Sequence, residues 1–106
     1  MEKRFFDFWI FSLKGYRSAA DEWNRKGKQL AEAGELNEAL ECFNMAIAIE
    51  PCHGESYYYR GKVHFAFAMY DEALEDYRKA LKNGYEGAEK AYNELLRLYR
   101  GAVIQK

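Results

Sequence analysis

The chain of 106 residues has the size of one small domain, and 49% of it is apolar, so a continuous core can form without disulfides or metal. Sixteen basic residues against seventeen acidic ones leave a formal charge of -1, which removes the whole-protein electrostatic case for nucleic acid or an anionic membrane as the main partner. Cys42 and Cys52 are the two cysteines, too few for a disulfide framework and typical of a reducing compartment, so cytoplasm is the expected location.

In chain order the first element is aromatic. Phe5-Phe6-Asp7-Phe8-Trp9-Ile10-Phe11-Ser12-Leu13 follows Lys3-Arg4 and faintly imitates a secretory signal. It is too short for a transmembrane helix of ~20 apolar residues, and Asp7 sits inside the run, so both readings are set aside. A helix over 5–14 is expected instead. Its aromatics extend around more than one helical face, which gives Phe5, Phe8, Trp9 and Phe11 as a docking surface for a partner or a second copy, ahead of lipid.

From residue 20 onward the chain matches itself when shifted by 34 residues. Trp23 falls on Tyr57, Gly27 on Gly61, Leu36 on Tyr70, Ala39 on Ala73, Phe43 on Tyr77, Ala46 on Ala80 and Ile47 on Leu81. The positions kept in register are aromatic, small or aliphatic, whereas polar positions vary. Within each unit, 20–53 and 54–87, apolar residues recur at helical spacing, as in Ala39, Phe43, Ala46 and Ile47. Each unit reads as two helices. Gly34 can take the left-handed geometry that ends a helix, and Asn37-Glu38 are expected to open the next helix with a capping side chain and an acidic first turn. Asp71-Glu72 are expected to do the same in the second unit. Pro51 cannot continue a helix and closes the first unit; Gly84 closes the second. Gly27 and Gly61 lie inside expected helices, where glycine costs ~1 kcal/mol relative to alanine, so their recurrence predicts close approach of another helix. Ala39, Ala46, Ala73 and Ala80 read likewise.

These residues resemble the tetratricopeptide repeat family, whose signature sets an aromatic, a glycine, an alanine, an aromatic, an alanine and a proline at fixed spacing. Residues 20–53 carry it as Trp23, Gly27, Leu30, Gly34, Ala39, Phe43, Ala46 and Pro51. Residues 54–87 carry Tyr57, Gly61, Tyr70, Ala73, Tyr77 and Ala80, with Ala68 where the family favours glycine and Tyr85 where it favours proline.

The last element, over 88–103, continues the pattern: Ala88, Ala91, Tyr92, Leu95, Leu96, Leu98 and Tyr99 lie one period after Gly54, Tyr57, Tyr58, Gly61, Lys62, His64 and Phe65. It reads as a capping helix. Phe5, Trp9, Ser12 and Leu13 lie one period before Ala39, Phe43, Ala46 and Ile47, so the 5–14 helix reads as the second helix of a half-unit. Two repeats need such end elements to bury their faces. The resemblance implies an all-α, right-handed helical solenoid of about six helices: two helix pairs, the N-terminal half-unit and the cap.

By resemblance, the first helix of each unit lines a concave groove that grips a peptide or a partner's helix, which makes the chain a protein interaction module. The groove positions so implied are Asn24 and Lys28 in the first unit, Tyr58, Tyr59, Lys62 and Phe65 in the second, and Tyr92, Leu96 and Tyr99 in the cap. A peptide carboxylate is expected against Lys28 and Lys62, with apolar side chains against Tyr58 and Tyr92. The alternative is a structural subunit or homo-oligomer that docks through the aromatic N-terminal helix. Co-chaperones of this family that clamp chaperone tails carry lysine where this chain has Asn24, asparagine where it has Lys28, and asparagine where it has Tyr59. None is kept, which argues against tail binding by that clamp.

The sequence contains no glycine-rich phosphate loop and no nucleophile elbow, so no catalytic residue and no cofactor are assigned. Glu38, Glu41, Asp71, Glu72, Glu75 and Asp76 are expected on the outer faces of the second helices as solvated charge. Cys42, Cys52, His53 and His64 lack metal-site spacing, and no metal is assigned.

Overall fold

The computed structural model describes residues 19–104, with side chains described over 19–100; the 5–14 helix and its docking residues Phe5, Phe8, Trp9 and Phe11 lie outside the described residues. Among the described residues α1 covers 19–32, and α2 (Leu36–Ile49), α3 (Gly54–Ala66), α4 (Tyr70–Lys82) and α5 (Glu89–Ile104) follow. A single 3-10 turn, Glu86–Ala88, leads into α5. There is no strand among these residues. α2 packs on α3, α3 on α4 and α4 on α5, so contacts run between neighbours along an array.

The core is correspondingly serial. Ala39, Phe43 and Val63 form a first cluster with Leu30, Leu36 and Leu40 against it. Tyr57, Ala80 and Ala88 form a second, flanked by Ile47, Leu81 and Tyr85. Ala73, Tyr77 and Leu95 form a third with Leu74, Ala91 and Tyr92. The four periodic alanines, Ala39, Ala46, Ala73 and Ala80, have no exposed surface at all. Two glycines explain how the helices come so close. A Cβ on Gly27 would lie 2.6 Å from the Phe43 ring, and one on Gly61 would lie 2.7 Å from the Tyr77 ring. The aromatic of each second helix thus rests on the bare backbone of its first helix.

Three helices end the same way. After α1, Gly34 has φ 84 and the Glu35 N–H reaches back to the Leu30 carbonyl at 2.9 Å. After α4, Gly84 has φ 85 and the Tyr85 N–H reaches the Ala80 carbonyl at 2.9 Å. After α3 the same left-handed residue is Ala68, with φ 60, and the Met69 N–H reaches the His64 carbonyl at 2.8 Å. These are Schellman closures, and the second unit makes its turn without the glycine.

The helix starts differ from expectation. α2 begins at Leu36 with Glu35 at the N-cap, α4 begins at Tyr70 with Met69 there, and neither has a side-chain cap bond. Asn37 lies inside α2, two residues past the N-cap. Glu38, Asp71 and Glu72 still occupy first turns, where their charge favours the N-terminal end of the helix dipole.

The expectation for Asp76 is also corrected. It is 2% exposed, not solvated, and it is held from both sides: Arg60 Nη2 and Nε donate at 2.7 and 3.0 Å, and His64 Nδ1 lies 2.8 Å away. The pair is bidentate, the geometry that best offsets the loss of hydration. Arg60 also donates to Asn44 Oδ1 at 3.0 Å, tying α2, α3 and α4 together.

Candidate functional site

α1 and α3 border a cleft of about 380 Å³, lined by Lys28, Ala31, Glu32, Leu36, Tyr59, Lys62 and Val63. A second cleft of about 240 Å³ continues toward α5, lined by Lys62, Phe65, Tyr77, Ala91, Glu94, Leu95 and Leu98. Lys62 belongs to both. A third hollow of about 240 Å³ is almost wholly apolar and lies at the end of α3 among Phe65, Tyr70, Leu95, Leu98 and Tyr99. The helical phase of α3 explains this line: Tyr59, Lys62 and Phe65 are spaced by three and share one face.

The two lysines are not alike. Lys28 Nζ is 3.1 Å from Glu55 Oε1 and 4.8 Å above the Tyr59 ring. The Glu55 hydrogen bond is the main reason that the Lys28 ammonium is held above its ordinary pKa. Both side chains are about one third exposed, 36% and 35%, so the pair is a weak, screened one. Lys62 Nζ rests over the rings of Tyr58 and Tyr59, at 5.4 and 5.7 Å, and has no carboxylate partner among the described residues. It lines both clefts.

The tyrosines form a packed rank behind it. Tyr58 lies 5.0 Å from Tyr59, 5.8 Å from Tyr77 and 5.2 Å from Tyr85, ring centre to ring centre. Tyr59 in turn stacks on Phe43 at 6.1 Å. Burial pushes the Tyr77 phenol up to about 12, and burial with the adjacent Tyr59 does the same to Tyr85. Tyr58 is therefore half-buried support, not the open floor that the sequence implied. Tyr92 packs against the Ala73, Tyr77 and Leu95 cluster, and Leu96 is half-buried beside it; neither lines the clefts. Phe65 is 45% exposed and meets Tyr70 edge-on at 5.5 Å. Tyr99 is exposed, and its hydroxyl bonds to Asp71, which raises its pKa.

Asn24 is the clearest departure. It is 4% exposed, donates from Nδ2 to Glu55 Oε1 at 3.1 Å and accepts from Ser56 Oγ at 3.0 Å. It is a buried tie between α1 and α3, out of reach of a ligand. Of the sequence-implied positions, Lys28, Tyr59, Lys62, Phe65 and Tyr99 line the connected hollows. Leu98 and Tyr70 join them and were not singled out. Leu98, 60% exposed in a helix that looked like a cap, could have been found from its phase, one period after His64 and two after Leu30.

Two polar clusters lie elsewhere. Ser56, His53 and Asp21 are linked at 2.7 Å and 2.7 Å, an order familiar from nucleophilic hydrolases. Ser56 has no exposed surface, so the hydroxyl that would attack cannot meet a substrate. Arg60, His64, Asp71, Glu72, Glu75, Asp76 and Lys79 line an open hollow of about 280 Å³. No group of three or more potential ligands is placed to hold a metal ion among the described residues, and no described helix is long and apolar enough to cross a membrane.

No family model matches the chain. A tetratricopeptide repeat protein 36 homolog of Nematostella vectensis is 34% identical over 67 residues, which are 63% of this chain and 37% of that protein. A DnaJ protein P58IPK homolog of Arabidopsis thaliana is 30% identical over 88 residues, 81% of this chain and 18% of that protein. The chain thus spans well under half the length of either relative. Among solved structures, the second TPR of Spaghetti (RPAP3), bound to the HSP90 peptide SRMEEVD, superimposes with TM-score 0.66 at 16% identity over 90% of this chain and 99% of that one. The TPR2B domain of yeast Sti1 in its Hsp70 complex gives 0.62 at 23% identity over 99% and 90%. The fold of both is the one described above.

Proposed function

Starting from a chain with the tetratricopeptide repeat fold, we propose that it is a protein interaction module that holds an extended peptide along α1, α3 and α5. The observation that carries this is Lys62: an ammonium with no carboxylate partner among the described residues, set over two tyrosine rings, where the polar cleft meets the apolar one. An acidic group of the peptide pairs with Lys62, and an apolar side chain enters the hollow beside Phe65 and Leu98. Lys28 contributes less because Glu55 already neutralises it. The neighbours of like fold were solved with peptides of heat-shock proteins. This chain has Asn24 buried and Tyr59 stacked where the carboxylate clamp would need open polar side chains, so its peptide is of another kind. The role proposed is binding, without catalysis or cofactor, in the reducing cytoplasm. A structural-subunit role gains one point of support from Phe65, Phe67, Met69, Tyr70, Leu98 and Tyr99, all exposed.

The test is titration with fluorescent peptides that place Asp or Glu near Leu or Phe. Lys62→Ala is expected to weaken binding about tenfold, the order lost with one charge-assisted contact. Phe65→Ala should reduce the preference for the apolar residue. If both variants bind like the parent chain, the groove is not the site.

A further inference from the structure

One apolar surface of the described residues has no cover, and one apolar run of the sequence lies outside them. The surface is the hollow at the end of α3, where Phe65, Tyr70, Leu95, Leu98 and Tyr99 supply the walls. Four of these side chains, Phe65, Tyr70, Leu98 and Tyr99, are between 38 and 60% exposed, so the hollow is a floor open to water. Its volume of about 240 Å³ falls below the ~300 to 1,000 Å³ of a small-molecule site and suits large side chains instead. A cluster of exposed aromatic and aliphatic side chains of this kind marks a place where protein binds. The run is residues 5–13, in which Asp7 and Ser12 are the only polar side chains. It holds four of the chain's seven phenylalanines and one of its two tryptophans, the residue types that anchor interfaces.

We propose that residues 5–13 of a second copy of this chain occupy the groove, with Asp7 against Lys62 and the aromatic side chains beside it in the hollow. The inference rests on the groove reading above and names its occupant. Charge supports the match. Lys62 lines the cleft that adjoins the hollow and shares Phe65, Leu95 and Leu98 with it, and it has no carboxylate partner among the described residues. Asp7 is the acid of the run, set between Phe6 and Phe8. Glu94 is the acid of the adjoining cleft, and the basic pair Lys3-Arg4 precedes the run. An acid among phenylalanines thus meets a cation beside an apolar floor, and a basic pair meets an acid.

Reach favours a second copy over the chain's own run. α1 and α3 start at the same end of the array, where Asp21 meets His53 and Asn24 meets Ser56. Phe65 lies near the other end of α3, which begins at Gly54. It is therefore roughly 16 Å along the helix axis and about 8 to 10 Å across from the start of α1, a separation of about 19 Å. The links from residue 14 to residue 19 span at most about 17 Å. In its own chain the run would have to spend its own residues crossing the cleft between α1 and α3 before any of them met the hollow. A second copy carries no such tether.

The test is light scattering of the full chain across a concentration series, with helicity followed by circular dichroism. The mass is expected to rise above that of one chain as concentration increases. Trp9→Ser damages the run, and Leu98→Glu, at the most exposed residue of the hollow, damages the floor. Each should hold the chain at the mass of one copy to at least a tenfold higher concentration. Each variant keeps the surface that the other has lost, so an equal mixture of the two should pair again. Asp7→Lys and Lys62→Asp should each weaken association about tenfold and restore it when combined in one chain. A parent chain that keeps the mass of one copy overturns the inference, whether the run then lies on its own chain or on neither. Association that survives Leu98→Glu, or a mixture that does not pair, overturns it too. Foreign acidic peptides that bind at Lys62 while the parent chain stays monomeric sink this inference alone and leave the groove reading standing. Should Leu98→Glu lose helicity, the exchange of charges decides.

Discussion

Ala68 holds a left-handed conformation, φ 60, at the turn where the equivalent residue of the first unit is Gly34, φ 84. An L-residue in that region costs roughly 1 to 2 kcal/mol because its Cβ crowds the carbonyl oxygen. Ala68→Gly removes this strain. Glycine also gains conformational freedom in the unfolded chain, which takes back about 0.4 to 1 kcal/mol. Ala68 is exposed, so no packing is lost with its methyl group. The closing bonds, Ala68 N–H to the Phe65 carbonyl and Met69 N–H to the His64 carbonyl, are backbone and survive the change. The net expectation is a gain of about 0.5 to 1 kcal/mol, or roughly 4 °C in Tm for a domain of this size. Circular dichroism against temperature and urea measures both. Gly34→Ala is the mirror control: a Cβ there meets nothing within 4 Å, so any loss is backbone strain alone, and a loss of similar size is expected. An Ala68→Gly chain no more stable than the parent, with Gly34→Ala harmless, would show that the turn does not constrain these residues as argued.

Gly61→Ala is expected to destabilise although alanine is the better helix former. The gain in propensity is ~1 kcal/mol, whereas a Cβ 2.7 Å from the Tyr77 ring and 3.1 Å from Asp76 Cβ must push a buried seam apart. A net loss of about 1 to 2 kcal/mol in urea denaturation is the outcome; a neutral or stabilising result would mean that the seam can slide. Alkaline titration should show Tyr77 and Tyr85 ionising only near pH about 12. Their pKa values are raised by folding, so the stability they contribute is complete below the unfolded value of about 10 and lost as pH climbs through the folded one. Phenolate absorbance of the parent chain against Tyr77→Phe and Tyr85→Phe, followed together with helicity, checks this: ionisation of either residue near its ordinary value of about 10 with helices intact would contradict the buried rank.

The period of 34 made the scaffold legible because packing constrains volume, and volume recurs. Gly27 and Gly61 could be read as sites of close approach since nothing else rewards glycine inside a helix. Helix starts were less legible. Asn37 and Asp71 carry the side chains suited to capping, whereas the chain turns into α2 and α4 two residues earlier and leaves the caps to Glu35 and Met69. The site was legible by face and not by role. Lys28 and Lys62 are equivalent in the repeat, yet Glu55 neutralises one and not the other, and only the approach of α1 to α3 brings that carboxylate within 3.1 Å.

The same period also held information that polarity obscured. One repeat before Asp76 stands Cys42, which is 4% exposed. Volume and phase therefore placed Asp76 inside, and its charge suggested outside. Phase prevailed because a partner was available: Lys26, one repeat before Arg60, is exposed at its own position, but Arg60 reaches across to Asp76 in a bidentate pair and His64 closes the remaining side. A buried carboxylate with two donors on the preceding helix fixes the pairing of α3 with α4 more tightly than apolar contact alone, since a slip of one residue would strand the charge. The Asn24, Ser56 and His53 chain fixes α1 against α3 by the same means. The apolar repeat thus gives the helices their spacing, and two polar chains that do not repeat set the register of α1 against α3 and of α3 against α4.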